Sequence, residues 1–297
     1  MSIKEHPPRV HEPVLLQASL AAMQPQRGER YLDLTAGYGG HAGAFLNITE
    51  SYMNSVLVDR DEHTHGHLKK LCQQGVELRS MDFASAAQQL VNEGEKFDLV
   101  LADLGVSSPQ LDRADRGFSF MHDGPLDMRM DQRMEMNAAD VVNNYSQDTL
   151  MDIIMRYGEE PRPIARRIAE AIIAARPFVT TAQLATVIEQ THRGPRKRIH
   201  PATRTFQALR IEVNGELSQV ESLLPLLPKL LRKGGRVGII SFHSLEDRLV
   251  KRYFAEQQAD GLEAELAILT KKPISGATED VHNPRARSAK LRVAVKK

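Results

Sequence analysis

The chain has 297 residues, 41% apolar and 26% charged, with a formal net charge of +1. That balance is ordinary for a globular protein and carries no global electrostatic sign of a nucleic-acid or membrane partner. A single cysteine, Cys72, excludes an internal disulfide and a cysteine-based zinc cluster and suits a reducing compartment. Residues 1–10 are polar and contain prolines where a signal peptide would be apolar, and no apolar run reaches membrane-spanning length. A cytoplasmic protein without a membrane partner is therefore expected.

In chain order, four strand-length apolar runs come first, at 31–34, 55–58, 76–78 and 97–101. The segments between them carry helical spacing, as in Ala44, Phe45 and Ile48, then Phe83, Ala87 and Leu90. Such alternation predicts a parallel sheet of βαβ units with helices on both faces. The strand signal then stops. Leu150, Ile153, Ile154 and Tyr157 follow helical spacing, Ile164, Ile168 and Ile172 lie four apart, and Thr180 or Thr181 is placed to cap a helix carrying Leu184, Val187 and Ile188. The turn signal Lys233-Gly234-Gly235 restarts the α/β pattern with a strand at 236–240 and a helix through Leu245, Leu249 and Tyr253. Runs at 266–269 and 291–295 are expected as an antiparallel closing pair with no helix between them. The division expected is a sheet domain over 1–112, an inserted helical domain over 113–215, and the return of the sheet domain over 216–297.

The first strand leads into Asp33-Leu34-Thr35-Ala36-Gly37-Tyr38-Gly39-Gly40-His41. Glycines at this strand-to-helix turn let the backbone bend sharply and approach a ligand. Asp59 ends the second strand, where it can accept hydrogen bonds from ribose hydroxyls. Gly37, Gly39 and Ala42 also satisfy the dinucleotide fingerprint, so the loop points to a nucleoside cofactor without separating NAD from S-adenosylmethionine. Asp33 tilts the balance. A carboxylate just ahead of the glycines suits a cofactor with a charged amino acid tail and would repel a pyrophosphate.

The fourth strand leads to Asp103, followed by Leu104-Gly105-Val106-Ser107-Ser108-Pro109-Gln110. Ligands of open α/β sheets sit beyond the carboxyl ends of the strands, so Asp103 should face the same crevice as Gly39 and Asp59. A carboxylate there can accept N–H bonds from an exocyclic amine and aim its lone pair at an electrophilic methyl. The Gln110 amide is a second candidate for holding cofactor or base.

These strings resemble one family. So do His11-Glu12-Pro13-Val14-Leu15-Leu16, Arg116-Gly117-Phe118-Ser119-Phe120, Asp123-Gly124-Pro125-Leu126-Asp127-Met128-Arg129-Met130-Asp131, Ser241-Phe242-His243-Ser244-Leu245-Glu246-Asp247-Arg248 and Asn283-Pro284-Arg285-Ala286-Arg287-Ser288. The stretch from His200 to Arg210 belongs to the same set. The family is the ribosomal RNA small subunit methyltransferase H (MraW) group, and the likeness runs in order along nearly the whole chain. It implies a Rossmann-like class I methyltransferase sheet, α/β, of seven mostly parallel strands, with an inserted all-helical domain. It also implies S-adenosylmethionine-dependent methylation of a cytidine N4 in the decoding region of bacterial 16S ribosomal RNA, with the small subunit as partner and no metal. Gly39, Gly40 and His41 are then the expected cofactor contacts, Asp59 the ribose ligand and Phe83 the adenine contact. Asp103 and Gln110 complete the pocket near the reacting methyl, Asp103 being the expected catalytic residue. Two rivals are a non-catalytic rRNA-binding assembly factor and an NAD-dependent oxidoreductase.

Pro161 and Pro163 stand where the family runs from an acidic pair straight into a helix, so that helix should start near Pro163. Two basic clusters are candidates for gripping RNA: Arg193, Arg196, Lys197, Arg198, Arg204 and Arg210, then Arg285, Arg287, Lys290, Arg292, Lys296 and Lys297. His63, His65 and His67 alternate as a metal site would, but on a helix neighbours two apart do not share a face. The methionines of 121–136 are expected to pack the hinge of the inserted domain.

Overall fold

The structure is a computed structural model that describes residues 13–192, 200–259, 261 and 263–297. The chain divides into two compact units, residues 1–105 with 220–297 and residues 106–219.

In the first unit short apolar runs become strands because each is flanked by a helix able to cover it. The strands are β1 (Tyr31–Asp33), β2 (Val56–Val58), β3 (Glu77–Arg79), β4 (Phe97–Asp103), β5 (Leu231–Ser241), β6 (Leu266–Ile268), β7 (Ile274–Ser275) and β8 (Lys290–Lys296). They form one sheet in the order β3-β2-β1-β4-β5-β8-β6, with β7 also paired to β8. Pairing is parallel from β3 through β5, and β8 runs antiparallel to β5, β6 and β7. Among the described residues the sheet thus has eight strands where seven were expected. The extra one is the two-residue β7. It is followed by the short helix Gly276–Glu279 and a 3-10 turn at Pro284–Ser288, so the closing pair is not free of helix. A two-residue strand lies below the length at which alternation can register in a sequence. In β5 the ladder jumps from Leu231 opposite Phe97 to Arg236 opposite Leu99, so the Lys233-Gly234-Gly235 turn bulges out of the sheet.

Alternation assigns the two faces. Leu32, Val56, Val58, Val100, Ala102, Val237 and Ile239 bury one way, against Ala86, Ala87 and Leu90 of the helix Phe83–Asn92 and Val250 and Phe254 of the helix Ser244–Ala259. Tyr31, Leu57, Leu99, Leu101, Ile240, Leu291 and Val293 bury the other way, against Met23 of Leu16–Met23, Phe45 and Leu46 of Gly40–Thr49, and Leu68 of Glu62–Gln73. A Cβ at Gly238 would lie 2.6 Å from Met23 Sδ, so a bare strand position lets that first helix pack here.

The second unit is helical. Gln147–Tyr157, Arg162–Ala175, Thr181–Gln190 and Thr203–Asn214 bury Leu150, Ile154, Ile168, Ile172, Leu184, Ile188, Phe206 and Leu209 in one core. Their starts follow local chemistry. Ser146 caps Thr149, Thr180 forms a capping box with Gln183, and Pro163 occupies the first turn of Arg162–Ala175.

Met128 and Met130 belong to this core, whereas Met121 is exposed. Two buried polar side chains hold their irregular backbone. Arg116 is 1% exposed, and its Nη2 donates to the carbonyls of Arg129 and Met130, each at 3.0 Å. Asn214 accepts the Met130 amide and donates to the Met128 carbonyl, each at 2.8 Å. Arg116→Met should therefore lower the stability of this unit by about 2–4 kcal/mol, because two carbonyls lose a charged donor. Urea unfolding checks it, and an unchanged midpoint would contradict the role.

Candidate functional site

The carboxyl ends of β1, β2 and β4 are adjacent, and each delivers an aspartate to the same edge of the sheet. Asp33 is buried. Its Oδ2 accepts the Tyr31 hydroxyl at 2.8 Å and its Oδ1 the Thr35 amide at 3.1 Å. Tyr31 and Asp33 are two residues apart on one strand and so share a face. Asp59 ties the loop to β2, its Oδ2 accepting the Gly37 amide at 2.6 Å and its Oδ1 the Asp61 amide at 2.8 Å. The Asp103 amide donates to Thr35 Oγ1 at 2.6 Å. One loop therefore hydrogen-bonds to all three strand ends.

Gly37 (φ 52°) and Gly39 (φ 81°) hold left-handed conformations that open this loop. Gly40 has a different cause: a Cβ there would lie 2.3 Å from Pro13 Cγ, so the packing of Pro13 requires the glycine. The helix Gly40–Thr49 then carries His41, buried, with Nε2 at 3.6 Å from Asp103 Oδ2. The Asp103 side chain is 24% exposed, yet its Oδ1 is buried with no hydrogen-bond partner among the described residues.

Electrostatics follow from burial of like charges. Burial first, then the charges of Asp33 and Glu246, hold the Asp103 carboxyl well above the usual carboxylate range. Burial also raises Asp33 to about 6, against the Tyr31 and Thr35 hydrogen bonds. The Tyr31 hydroxyl is pushed well up, by burial and then by Asp33. Burial lifts Asp59 too, opposed by the Asp61 and Gly37 amides.

Gly39, Gly40, His41, Asp59 and Asp103 thus gather at one sheet edge. Phe83 starts the helix after β3, behind the cap Asp82, half-buried against the core at the neighbouring strand end. Gln110 lies in the second unit, in the short helix Ser108–Asp112, where its Oε1 accepts the Ser107 amide at 2.8 Å.

Two residues escaped the sequence reading. Tyr31 looked like a strand hydrophobe. Glu246 carries a legible signal, standing three residues after His243 as a capping-box acid does. It is 1% exposed, and its Oε2 accepts the Phe242 amide at 2.8 Å.

The alternating histidines have separate surroundings. His65 Nε2 lies 3.2 Å from the Asp59 carbonyl, and the His67 ring packs 4.7 Å from that of Tyr38. Among the described residues no helix is long and apolar enough to cross a membrane.

The basic clusters are less available than their sequence positions imply. Arg193, Arg196, Lys197 and Arg198 lie outside the described residues. Arg210 pairs with Glu216 at 2.7 Å and Arg204 with Glu160 at 3.5 Å. In the C-terminal cluster Arg292 is buried and pairs with Asp247 at 2.8 Å, while Lys290 reaches the other Asp247 oxygen at 2.9 Å. Although burial pushes it up, the bonds from Arg292 and Lys290 hold the Asp247 carboxyl below its ordinary value. Lys296 pairs with Glu265.

A model of the MraW methylase family matches residues 9–297. The proteins named ribosomal RNA small subunit methyltransferase H include one from Acidobacterium capsulatum, 48% identical, covering 97% of this chain and 98% of its own length. Another, from Synechocystis, is 46% identical over 96% of this chain and 93% of its own. A third, from Dehalococcoides mccartyi, is 43% identical over 96% and 86%.

Two outcomes follow from this geometry. Asp33 is more acidic in the unfolded chain than in the folded one, so its contribution favours folding below about pH 4 and is lost as pH rises through about 6. Ligand-free protein should lose on the order of 2–3 kcal/mol to this group across that window. Asp33→Asn should flatten the slope in urea unfolding, and an identical slope would refute the assignment. Arg292→Ala should cost about 2–3 kcal/mol, because the buried Asp247 carboxylate loses a charged hydrogen bond and keeps the one from Lys290. A purely RNA-binding arginine would leave the melting temperature unmoved.

With the match running from residue 9 to the C-terminus and the full-length relatives agreeing, the chain belongs to the MraW methylase family.

Proposed function

We propose that this enzyme transfers the methyl group of S-adenosylmethionine to the N4 amine of a cytidine in the decoding region of 16S ribosomal RNA, acting in the cytoplasm on the small subunit. Methyl transfer itself comes with the family. The RNA substrate is supported by the relatives, each named as a ribosomal RNA small subunit methyltransferase. The observation that carries the finer reading is Asp103 Oδ1, buried and without a hydrogen-bond partner among the described residues.

The donor set fits a cationic nucleoside. Among the described residues no lysine or arginine pairs with Asp33, Asp59 or Asp103, so this edge of the sheet is acidic. A pyrophosphate would be repelled here and a sulfonium with an ammonium tail attracted, which disfavours an NAD-dependent oxidoreductase. Asp59 would hold the ribose: both its oxygens accept amides, but each retains a second lone pair. The loop at Gly39, Gly40 and His41 would contact the cofactor, and Phe83 would border the adenine. The role expected for Gln110 stands on the family resemblance alone.

When bound, the cofactor supplies an electrophilic methyl on a positively charged sulfur. Asp103 does the orienting. The cytosine amine is a weak nucleophile because its lone pair is delocalised into the ring. Accepting an N4–H bond at Oδ1 localises that pair and aligns it for in-line attack. The base has to be unpaired or turned out of its helix to reach the carboxylate. No covalent enzyme intermediate is needed, and Cys72 sits on the helix Glu62–Gln73 packed toward the core.

The test uses radiolabelled donor and small subunits from cells lacking the enzyme, followed by nucleoside digestion. Label in N4-methylcytidine is expected. Donor binding without label there would redirect the reading to another RNA or to a non-catalytic assembly role. Asp103→Asn should lower the transfer rate roughly 10²–10⁴-fold with donor affinity retained, since a neutral amide oxygen accepts the N4–H bond more weakly and takes no proton. Transfer at the parent rate would remove Asp103 from the chemistry.

A further inference from the structure

Carboxylates that attract a sulfonium also repel a phosphate backbone, so an RNA delivered to Asp103 needs positive charge nearby that is not already paired. Much of the C-terminal tail fails that requirement, since Lys290 and Arg292 pair with Asp247 and Lys296 with Glu265.

Strand pairing shows where such charge lies. Asp103 stands opposite Ile240, Ile240 opposite Leu291, and Leu291 opposite Ile274, so one row of residues crosses β4, β5, β8 and β7. Three steps of about 4.8 Å bring that row from Asp103 to the sheet edge within about 15 Å. The chain flanking β7 is basic. Residues 271–288 hold Lys271, Lys272, Arg285 and Arg287 against Glu279 and Asp280, while the whole chain balances 39 Lys and Arg with 38 Asp and Glu. Lys271, Lys272 and Arg287 are exposed and pair with no carboxylate among the described residues.

Local structure holds these side chains outward. Thr270 Oγ1 accepts the Val293 amide at 2.9 Å, and the next ladder pair is Ile274 with Leu291. Residues 271–273 therefore span the single residue Arg292 and bulge from the edge. Ala286 is buried between Arg285 and Arg287, which are both exposed. A Cβ at Gly276 would collide with the Ala286 carbonyl, and the Gly276 amide donates to the Ala289 carbonyl at 2.9 Å, so the two ends of the loop from β7 to β8 are clamped together. Asp280 Oδ2 accepts the Leu15 amide at 3.0 Å, which ties the middle of the loop to the start of the first helix. A support already ordered before binding lowers the cost of binding.

We infer that Lys271, Lys272 and Arg287 form a phosphate-binding rim for the RNA strand that carries the target cytidine. This rests on the reading proposed above. With the base seated at Asp103, the neighbouring nucleotides stay outside the pocket and their phosphates run along the β7 edge. An acidic pocket with a basic rim sorts the two reactants by charge. Lysines on an edge strand also discourage pairing between sheets, a role that needs no RNA and that binding measurements separate.

The test is the affinity of the full-length protein for unmodified small subunits against salt concentration, for the parent and for Lys271→Gln/Lys272→Gln/Arg287→Gln. Each lost single-strand phosphate contact should reduce the slope of log K against log salt by about 0.7, so the triple variant should lose about two units. Its binding should fall roughly 10²-fold at about 0.1 M salt and converge with the parent near about 1 M. Donor binding, followed by calorimetry, reports an intact pocket. Should the triple variant bind no donor, Arg287→Gln alone decides, with an expected change of about 0.7. Lys69→Gln/Lys70→Gln removes exposed cations from the last turns of the helix Glu62–Gln73, at the other end of the sheet, and should leave the slope in place. An unchanged slope in the triple variant, with or without new self-association, overturns the inference. An equal flattening per charge in the Lys69 and Lys70 variant does the same. A parent that binds subunits yet forms no N4-methylcytidine refutes the proposed function itself, whereas an active parent whose triple variant keeps its slope refutes only this rim.

Discussion

Burying like charges at one edge of a sheet is costly, and the first unit is arranged around that cost. Asp33 is almost wholly buried, as is Glu246, and Asp103 largely so, yet neither Asp33 nor Asp103 is neutralised by a lysine or arginine among the described residues. What holds them are directional hydrogen bonds: the Tyr31 hydroxyl and Thr35 amide on Asp33, and the Phe242 and His243 amides on Glu246. Asp103 Oδ1 is buried without such a partner among the described residues. A site built this way has a high affinity for positive charge and for protons before any ligand arrives.

That electrostatic state links stability to chemistry. The groups that make the folded protein less stable as pH rises are the ones whose proton affinity a methyl acceptor needs. A cationic donor bound at this edge would relieve part of the repulsion, so ligand binding and folding are expected to be thermodynamically linked. Activity and stability are in tension at such a sheet edge for a physical reason, the desolvation of carboxylates.

Charge read along the sequence misleads where the fold pairs it internally. Arg292 and Lys290 look like part of a basic tail, but β8 places both beside Asp247 of the helix Ser244–Ala259. Arg210 faces Glu216 six residues on, across the turn at Gly215. RNA contact by this protein therefore cannot be inferred from counting arginines. A salt-bridged arginine is held in place and offers a phosphate little net charge.

Much was legible in the sequence because it rests on local periodicity and turn chemistry. Runs of Val and Leu between helical segments dictate a parallel sheet, and glycines at the end of β1 dictate a sharp loop. Ser146, Thr180 and Pro163 mark helix starts through bonds made within one turn. Strand ends at Asp33, Asp59 and Asp103 followed from the same pattern, since loops at the carboxyl ends of parallel strands share one edge. Other features depended on tertiary structure. The two-residue β7 exists only because β8 is there to pair with it. The packing of Pro13 requires the glycine at Gly40, and Tyr31 serves Asp33 through a hydroxyl that its apolar strand conceals. The charge of Glu246, at the exit of β5, bears on Asp103 at the end of β4. Periodicity specifies which face of an element is buried; which charges meet inside is decided by strand order, and strand order is a property of the folded sheet.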